Sequence, residues 1–99
     1  MKLGFVQMNS ILLDVEGNID TAFRLIGSKR ADLIVLPELF NTGYNFRNRQ
    51  EVAAVAEGVP AGRTTQALKD FSKNQGMIVA GVAERKGSSF YNSAVIVKD

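Results

Sequence analysis

The chain has 99 residues, of which 45% are hydrophobic and 22% are charged, a balance typical of one small globular domain. Twelve basic and ten acidic residues leave a net charge of +2 without a clustered basic stripe, so no nucleic-acid partner is predicted. There is no Cys and no His, which excludes disulfides, cysteine-based zinc sites, a Ser-His-Asp triad and a thiolate nucleophile within these residues.

The first predicted element is a strand over residues 3–8, a short apolar run with Phe5 and Val6 at its centre. Gln7 interrupts this run before the apolar core of a signal peptide can form. No later run approaches the ~20 apolar residues that span a bilayer. We therefore expect no targeting signal and no membrane partner, and we expect a cytoplasmic location.

The next two elements are a helix and a buried strand. Asn18 is the predicted N-cap, since its side-chain oxygen can accept from amides of the first helical turn. A helix over residues 19–29 is predicted because apolar residues recur on one helical face: Ile19, Ala22, Phe23 and Ile26. The apolar run 33–36 predicts a strand covered on both faces. The order strand, helix, strand predicts a parallel βαβ unit with a right-handed crossover.

The second half of the chain predicts two helices and a hairpin. Val52, Val55 and Ala56 indicate a short helix, and Thr64 or Thr65 can cap a longer one over residues 64–75. Apolar runs at 77–83 and 90–97 flank a short polar turn and predict two antiparallel strands. The fold class is therefore α/β, with a mixed, mostly parallel sheet flanked by helices.

Helices in these positions can cover only one face of such a sheet. The chain ends at Asp99, directly after the last predicted strand. We therefore expect the other face to be covered by self-association or by pairing with a missing C-terminal part.

Glu38 is the first candidate for chemistry. It lies two residues beyond the strand predicted over 33–36, and ligands of open α/β sheets bind outside the carboxyl ends of the strands. A carboxylate at that place can transfer protons between reacting groups. The alternative is a structural loop carboxylate that caps the amides following it.

The sequence around Glu38 resembles a known signature. Residues 36–44 (LPELFNTGY) strongly resemble the first motif of the nitrilase superfamily of carbon–nitrogen hydrolases. Five other segments resemble family motifs in the same order: Phe5–Asn9, Gly17-Asn18, Ala31–Val35, Ile78–Gly81 and Tyr91–Ala94. Because the resemblance runs through the whole chain, residues 1–99 are interpreted as a partial carbon–nitrogen hydrolase domain.

This resemblance implies a fold and an activity. The fold is the N-terminal half of an α-β-β-α sandwich, and the activity is hydrolysis of non-peptide C–N bonds in small amides, nitriles or carbamoyl compounds. Family catalysis uses a Glu, a Lys and a Cys, and only the Glu has a counterpart here, in Glu38. No metal and no organic cofactor are implied. The chain alone is predicted to be inactive, and the alternative is a non-catalytic truncated homologue that acts as an associating or regulatory module.

Four further residues are weaker candidates for the site. Tyr44 lines the acyl pocket or forms a hydrogen bond near Glu38, or else it is a packing aromatic of the loop. Asn92 binds substrate or supports the site from a neighbouring strand, although bonding to local backbone groups is the favoured interpretation. Phe40 and Phe46 are interpreted as packing residues.

The glycine-containing segment 58–64 (GVPAGRT) superficially resembles a phosphate-binding loop. Its spacing is one residue short, Arg63 replaces the lysine, and Pro60 removes one of the amides that such a loop needs. We therefore predict no nucleotide site.

Overall fold

The fold of residues 1–98, as described by a computed structural model, is a four-stranded sheet with two helices packed on one face. The elements in chain order are β1 (Leu3–Phe5), α1 (Val15–Ile26), β2 (Leu33–Val35), α2 (Arg49–Val55), α3 (Arg63–Ser72), β3 (Met77–Lys86) and β4 (Ser89–Val97). In this part of the chain no helix is both long and apolar enough to cross a bilayer.

The strands lie in the order β1-β2-β3-β4. β1 pairs with β2 and β2 with β3 in parallel, while β3 and β4 form an antiparallel hairpin from Lys86–Ser89 to Ile78–Val97. The predicted strand directions are therefore confirmed. Gly87 has φ +62° and is the first of the two central turn residues, the place where a type II′ hairpin turn needs positive φ.

The hydrophobic core lies between the sheet and helices α1 and α3. One stripe of α1 is buried, at the spacing expected of an amphipathic helix: Val15, Ile19, Ala22 and Ile26. Its strand partners alternate along the sheet: Ile34, Ile78, Ala80, Val82, Val95 and Val97. Burying each Val, Leu or Ile side chain contributes about 1.5–3 kcal/mol, so this face holds helices and sheet together.

The first helix begins earlier than the sequence predicts, and its cap is a different residue. Asp14 is the N-cap, and its carboxylate accepts from the amide of Gly17 at 3.1 Å. Asn18, the predicted cap, lies inside the first turn and is 2% exposed, where it bonds to the backbone of Ile11 and Asn41. Asp and Asn are both good N-cap residues. Asn18 instead bonds to the loop backbone, where its side-chain amide both donates to carbonyls and accepts from an amide, which a carboxylate could not do.

The helix also ends earlier, at Ile26, because Gly27 has φ +59° and leaves the helical path. The stacked rings of Phe23 and Phe71, with centroids 4.2 Å apart, join α1 to α3.

The strand predicted over 33–36 is covered on one face rather than on both. Ile34 is buried against the helices, whereas Val35 is 41% exposed on the opposite face. That face has no helix packed on it among residues 1–98, since α1 and α3 lie on the same side. It exposes Phe5 (76%) and Ile96 (66%) as well as Val35. These three residues lie in one row across the four strands, and Val79 on β3 completes the row between Val35 and Ile96. We call this surface the open face.

The helix predicted over 64–75 spans Arg63–Ser72, and neither predicted threonine is its N-cap. Gly62 occupies that position, while Thr64 and Thr65 are buried in the first turn. Glu57 supplies the acceptor instead, because its carboxylate accepts from the Thr64 amide at 2.8 Å and from its Oγ at 2.6 Å. A carboxylate at a helix N-terminus is favoured by the helix dipole.

Candidate active site

The segment after β2 continues along β3 and then loops outward at Glu38. The Leu36 amide donates to the Val79 carbonyl at 2.8 Å, which extends the pairing beyond β2. The next two bonds both involve Gly81, whose amide donates to the Pro37 carbonyl and whose carbonyl accepts from the Phe40 amide. Glu38 and the residue after it therefore project out of the sheet opposite Gly81.

This outward loop depends on an uncommon backbone conformation at Leu39 and on the absence of a side chain at Gly81. Leu39 has φ +49°, a left-handed conformation that is uncommon for a residue with a branched apolar side chain. A β-carbon on Gly81 would lie 2.6 Å from the Cα of Glu38 and 2.8 Å from the Leu39 nitrogen. Only glycine lets the two backbones approach so closely.

The carboxylate of Glu38 is held by the neighbouring hairpin strand. The side-chain amide of Asn92 donates to Oε2 of Glu38 at 2.8 Å. Asn92 pairs with Ala83 on β3, two residues beyond Gly81, so it stands on the same side of the hairpin as the outward loop. Within residues 1–98, Oε1 of Glu38 has no hydrogen-bond donor, so this oxygen can accept a proton from a reacting group.

The predicted interpretation of Asn92 as a residue bonded to local backbone is wrong, because its amide instead reaches Glu38, 54 positions earlier in the chain. A direct role of Asn92 toward substrate stays a prediction.

The aromatic candidates separate into a buried residue and an exposed one. Phe40 is fully buried, which confirms its predicted packing role, and Phe46 is half-buried. Tyr44 is 69% exposed and makes no side-chain hydrogen bond within residues 1–98, so the predicted bond near Glu38 is not formed there. Its role in lining an acyl pocket stays a prediction.

Buried and half-buried polar side chains fix the loop that follows Glu38. Ser10 donates to the Phe40 carbonyl at 2.6 Å, and Asn18 donates to the Asn41 carbonyl at 3.0 Å. The Asn41 side chain donates to Oγ of Thr64 at 3.0 Å. These bonds tie the loop to α1 and α3, so the backbone next to Glu38 is held from two sides.

Sequence reasoning missed Gly81 as a part of the site. A lone glycine inside an apolar strand is a signal for a bulge or for a close backbone approach. That signal does not identify the approaching residue, which only the pairing of residues 36–40 with β3 reveals.

No phosphate-binding geometry is present at residues 58–64. The amide and hydroxyl of Thr64 in the first turn of α3 donate to the carboxylate of Glu57, so a negative group of the chain itself lies at the helix N-terminus where a phosphate would bind. In the described part of the chain, no three His, Cys, Asp or Glu side chains come together as possible metal ligands.

Comparison with known proteins gives matches along nearly the whole chain. The pattern of the carbon-nitrogen hydrolase family matches residues 2–99. A nitrilase of Pyrococcus abyssi is 48% identical over 101 residues, which cover 98% of this chain and 38% of the relative. A 2-oxoglutaramate amidase of Bacillus subtilis is 47% identical over 72 residues, which cover 70% of this chain and 26% of the relative. The chain thus spans well under half the length of these relatives.

Solved structures share the fold. An N-terminal amidase superposes with a TM-score of 0.88 at 25% identity, over 98% of this chain and 25% of that one. A CN-hydrolase superfamily protein of Xanthomonas campestris superposes with a TM-score of 0.80 at 23% identity, over 94% of this chain and 34% of that one. The predicted α/β fold of the hydrolase type is therefore confirmed.

Proposed function

Because the chain belongs to the carbon-nitrogen hydrolase family, we propose that residues 1–99 form the part of a hydrolase that carries its general base, Glu38. The reaction proposed is cleavage of a non-peptide C–N bond in a small amide, nitrile or carbamoyl compound. The observation that supports this proposal is the geometry of one carboxylate. Glu38 stands on the open face with Oε2 held by Asn92 and Oε1 open to a reacting group.

The proposed chemistry needs a thiol that the chain does not contain. The sequence has no cysteine, so the nucleophile would come from residues outside these 99, as would the lysine of the family triad. Glu38 would accept the thiol proton at Oε1 while the sulfur attacks the substrate carbon. For an amide, the same carboxyl group would then give that proton to the departing nitrogen and take another from the water that hydrolyses the thioester.

The substrate class is proposed from the relatives together with the site. One relative is named a nitrilase and another a 2-oxoglutaramate amidase, and both names describe C–N bond hydrolysis of small molecules. No metal or organic cofactor is needed for thiol catalysis of this kind.

The test is ammonia release by the full-length protein that contains these residues, with 2-oxoglutaramate and a simple aliphatic nitrile as substrates. Glu38→Gln should lower turnover by a factor on the order of 10²–10⁴, the usual share of general acid–base catalysis. Glu38→Asp should also lower it, because the shortened side chain withdraws from the transferred proton. Both variants should keep the wild-type melting temperature, since the carboxylate is exposed and Gln is nearly isosteric.

A matched control is Glu16→Gln, which removes an exposed carboxylate from the first turn of α1. It should leave turnover unchanged. If Glu38→Gln retains near-full activity, the catalytic assignment is wrong. If it unfolds the protein instead, the carboxylate has a structural role in its loop.

The open face favours a second candidate function, that of an associating or regulatory module without catalysis. Its exposed side chains include Phe5 and Ile96, which are unfavourable in water and suited to contact with another polypeptide. We propose that this face pairs either with a C-terminal part of the same protein or with another copy. A protein that binds such a partner but releases no ammonia from either substrate would favour the module.

A further inference from the structure

We propose that Asn92 is a positioning residue for the general base, holding one oxygen of Glu38 so that the other meets the reacting proton. This inference rests on the proposed function, because it assigns Asn92 a role in the reaction that Glu38 would carry out. The sequence motif alone left Asn92 as a substrate contact, a supporting residue or a residue bonded to local backbone.

The donor is rigid. The backbone of Asn92 pairs with Ala83 in the middle of the hairpin, so the strand fixes its Cα. An asparagine side chain has only two rotatable bonds, and its amide donates to Glu38 at 2.8 Å, an ideal length. The donor is thus held more firmly than an equivalent group on a loop would be.

The acceptor, by contrast, has many conformations open to it. Glu38 projects from a two-residue outward loop, and its own side chain is exposed, with three rotatable bonds before the carboxylate. Without a partner, the carboxylate would sample many rotamers. A single bond to Oε2 removes most of this freedom and leaves Oε1 without a donor within residues 1–98.

The donor is also chemically suited to holding a base. The Asn92 amide is neutral, so it holds the carboxylate without forming an ion pair that would neutralise the charge of a base. An aspartate at this position would offer only acceptors to a second carboxylate and would repel it. Asparagine therefore fits the task, while its isosteric acid does not.

The kinetic experiment uses the full-length protein and ammonia release from 2-oxoglutaramate. Asn92→Leu keeps the size of the side chain but removes the donor. We expect it to lower kcat by about 10–100-fold with KM changed less than about twofold, because a misplaced catalytic group costs rate rather than binding. Asn92→Asp should lower kcat at least as much, and Asn92→Gln, which keeps an amide donor, should recover part of the loss.

The decisive comparison is a double-mutant cycle with Glu38→Gln. If Asn92 acts through Glu38, Asn92→Leu causes no further loss in the Glu38→Gln background. If it raises KM equally in both backgrounds, Asn92 binds substrate and the positioning role is overturned. An unchanged kcat in the single variant overturns it as well.

The control is Ser93→Ala on the same strand. Ser93 points to the other face, where its hydroxyl bonds to Glu84 at 2.7 Å, so the substitution removes a comparable bond away from the site. It should leave kcat unchanged. If Ser93→Ala lowers kcat as much as Asn92→Leu does, the loss reflects a general loosening of the hairpin, and the positioning role is overturned.

A spectroscopic measurement separates this inference from the proposed function. The side-chain amide resonance of Asn92 in nitrogen-edited NMR spectra should move on Glu38→Gln and stay in place on Ser93→Ala. An unmoved resonance overturns the positioning role whatever the kinetics show. If the resonance moves but Glu38→Gln retains full turnover, the contact is real and the proposed function fails.

Discussion

Gly81 and Glu38 are in backbone contact: a β-carbon added to Gly81 would stand 2.6 Å from the Cα of Glu38. Non-bonded carbon atoms in proteins do not come this close, so a β-carbon at Gly81 would displace its neighbour. That neighbour is a backbone atom, which cannot move aside as the flexible end of a side chain can. The position of the proposed base therefore depends on the absence of a side chain on the adjacent strand.

The first prediction is that Gly81→Ala displaces the outward loop. We expect a loss of turnover in the full-length protein of at least 10-fold, because a shift of about 1 Å in a catalytic group can cost as much as 10²-fold. Gly58→Ala is the matched control, since a β-carbon there meets nothing within 4 Å. Ammonia release by the two variants checks this, and equal activity would show that the loop adapts without cost.

A second prediction concerns Asn18, which joins α1 to the loop after Glu38. Asn18→Ala leaves the carbonyl of the fully buried Asn41 without its side-chain donor, and it also removes the two part-buried bonds to the Ile11 backbone. An unsatisfied buried polar group costs about 1–3 kcal/mol, so the free energy of unfolding should fall by at least this amount. Urea denaturation measures the change, with Asp20→Ala on the exposed side of α1 as control. Equal midpoints for both variants would contradict the structural role.

A third prediction is that the open face drives association of the 99-residue chain. Ile96→Lys places a charge on β4, at one end of the exposed apolar row, and should shift the chain toward monomers in light scattering. Leu25→Lys is the control, because Leu25 is 51% exposed but lies on α1. A wild-type chain that stays monomeric at high concentration would show that the open face alone does not cause association.

A fourth prediction concerns pH and the start of α2. Hydrogen bonds from the Arg47 side chain and amide lower the pKa of Glu51 below its ordinary value of 4.5. Because the pKa is lower in the folded chain, the stabilisation is complete above pH 4.5 and disappears as the pH falls through the folded value.

Carbon NMR of the Glu51 carboxyl group measures this directly. Its titration midpoint should lie below 4.5, and Arg47→Gln should move it upward because the charge-assisted bonds are lost. A midpoint that does not respond to Arg47→Gln would contradict the pairing. α2 ends at Val55, and its last turn carries no basic residue. The titration of Glu51 should therefore leave this end of the helix unaffected.

Much of the fold was predictable because its periodicities are simple. Apolar spacing gave the stripe of α1, and the short turn before Ser89 gave the antiparallel hairpin. Helix starts were not predictable where two good caps compete. Asp14 and Asn18 are chemically similar caps, and only the burial of Asn18 decides between them.

The candidate site was predictable in part. The end of a parallel strand directs attention to Glu38, and the resemblance of residues 36–44 supports it. The partner on β4 depends on the register of the hairpin, since a one-residue slip would turn Asn92 to the helix face. The apolar run 95–97 does not alternate, so the sequence pattern of β4 leaves this register open, and the Asn92 contact had to come from the structure.

The hairpin of β3 and β4 also bears on the order of folding. Its strands are joined by two turn residues, whereas β1 and β2 begin 30 positions apart and β2 and β3 begin 44 apart. Closing a short loop costs less chain entropy, so the hairpin should form first and the parallel pairings later. Gly81 and Asn92 would then be in place before Glu38 arrives, and the nascent hairpin would serve as the template on which the proposed base is assembled.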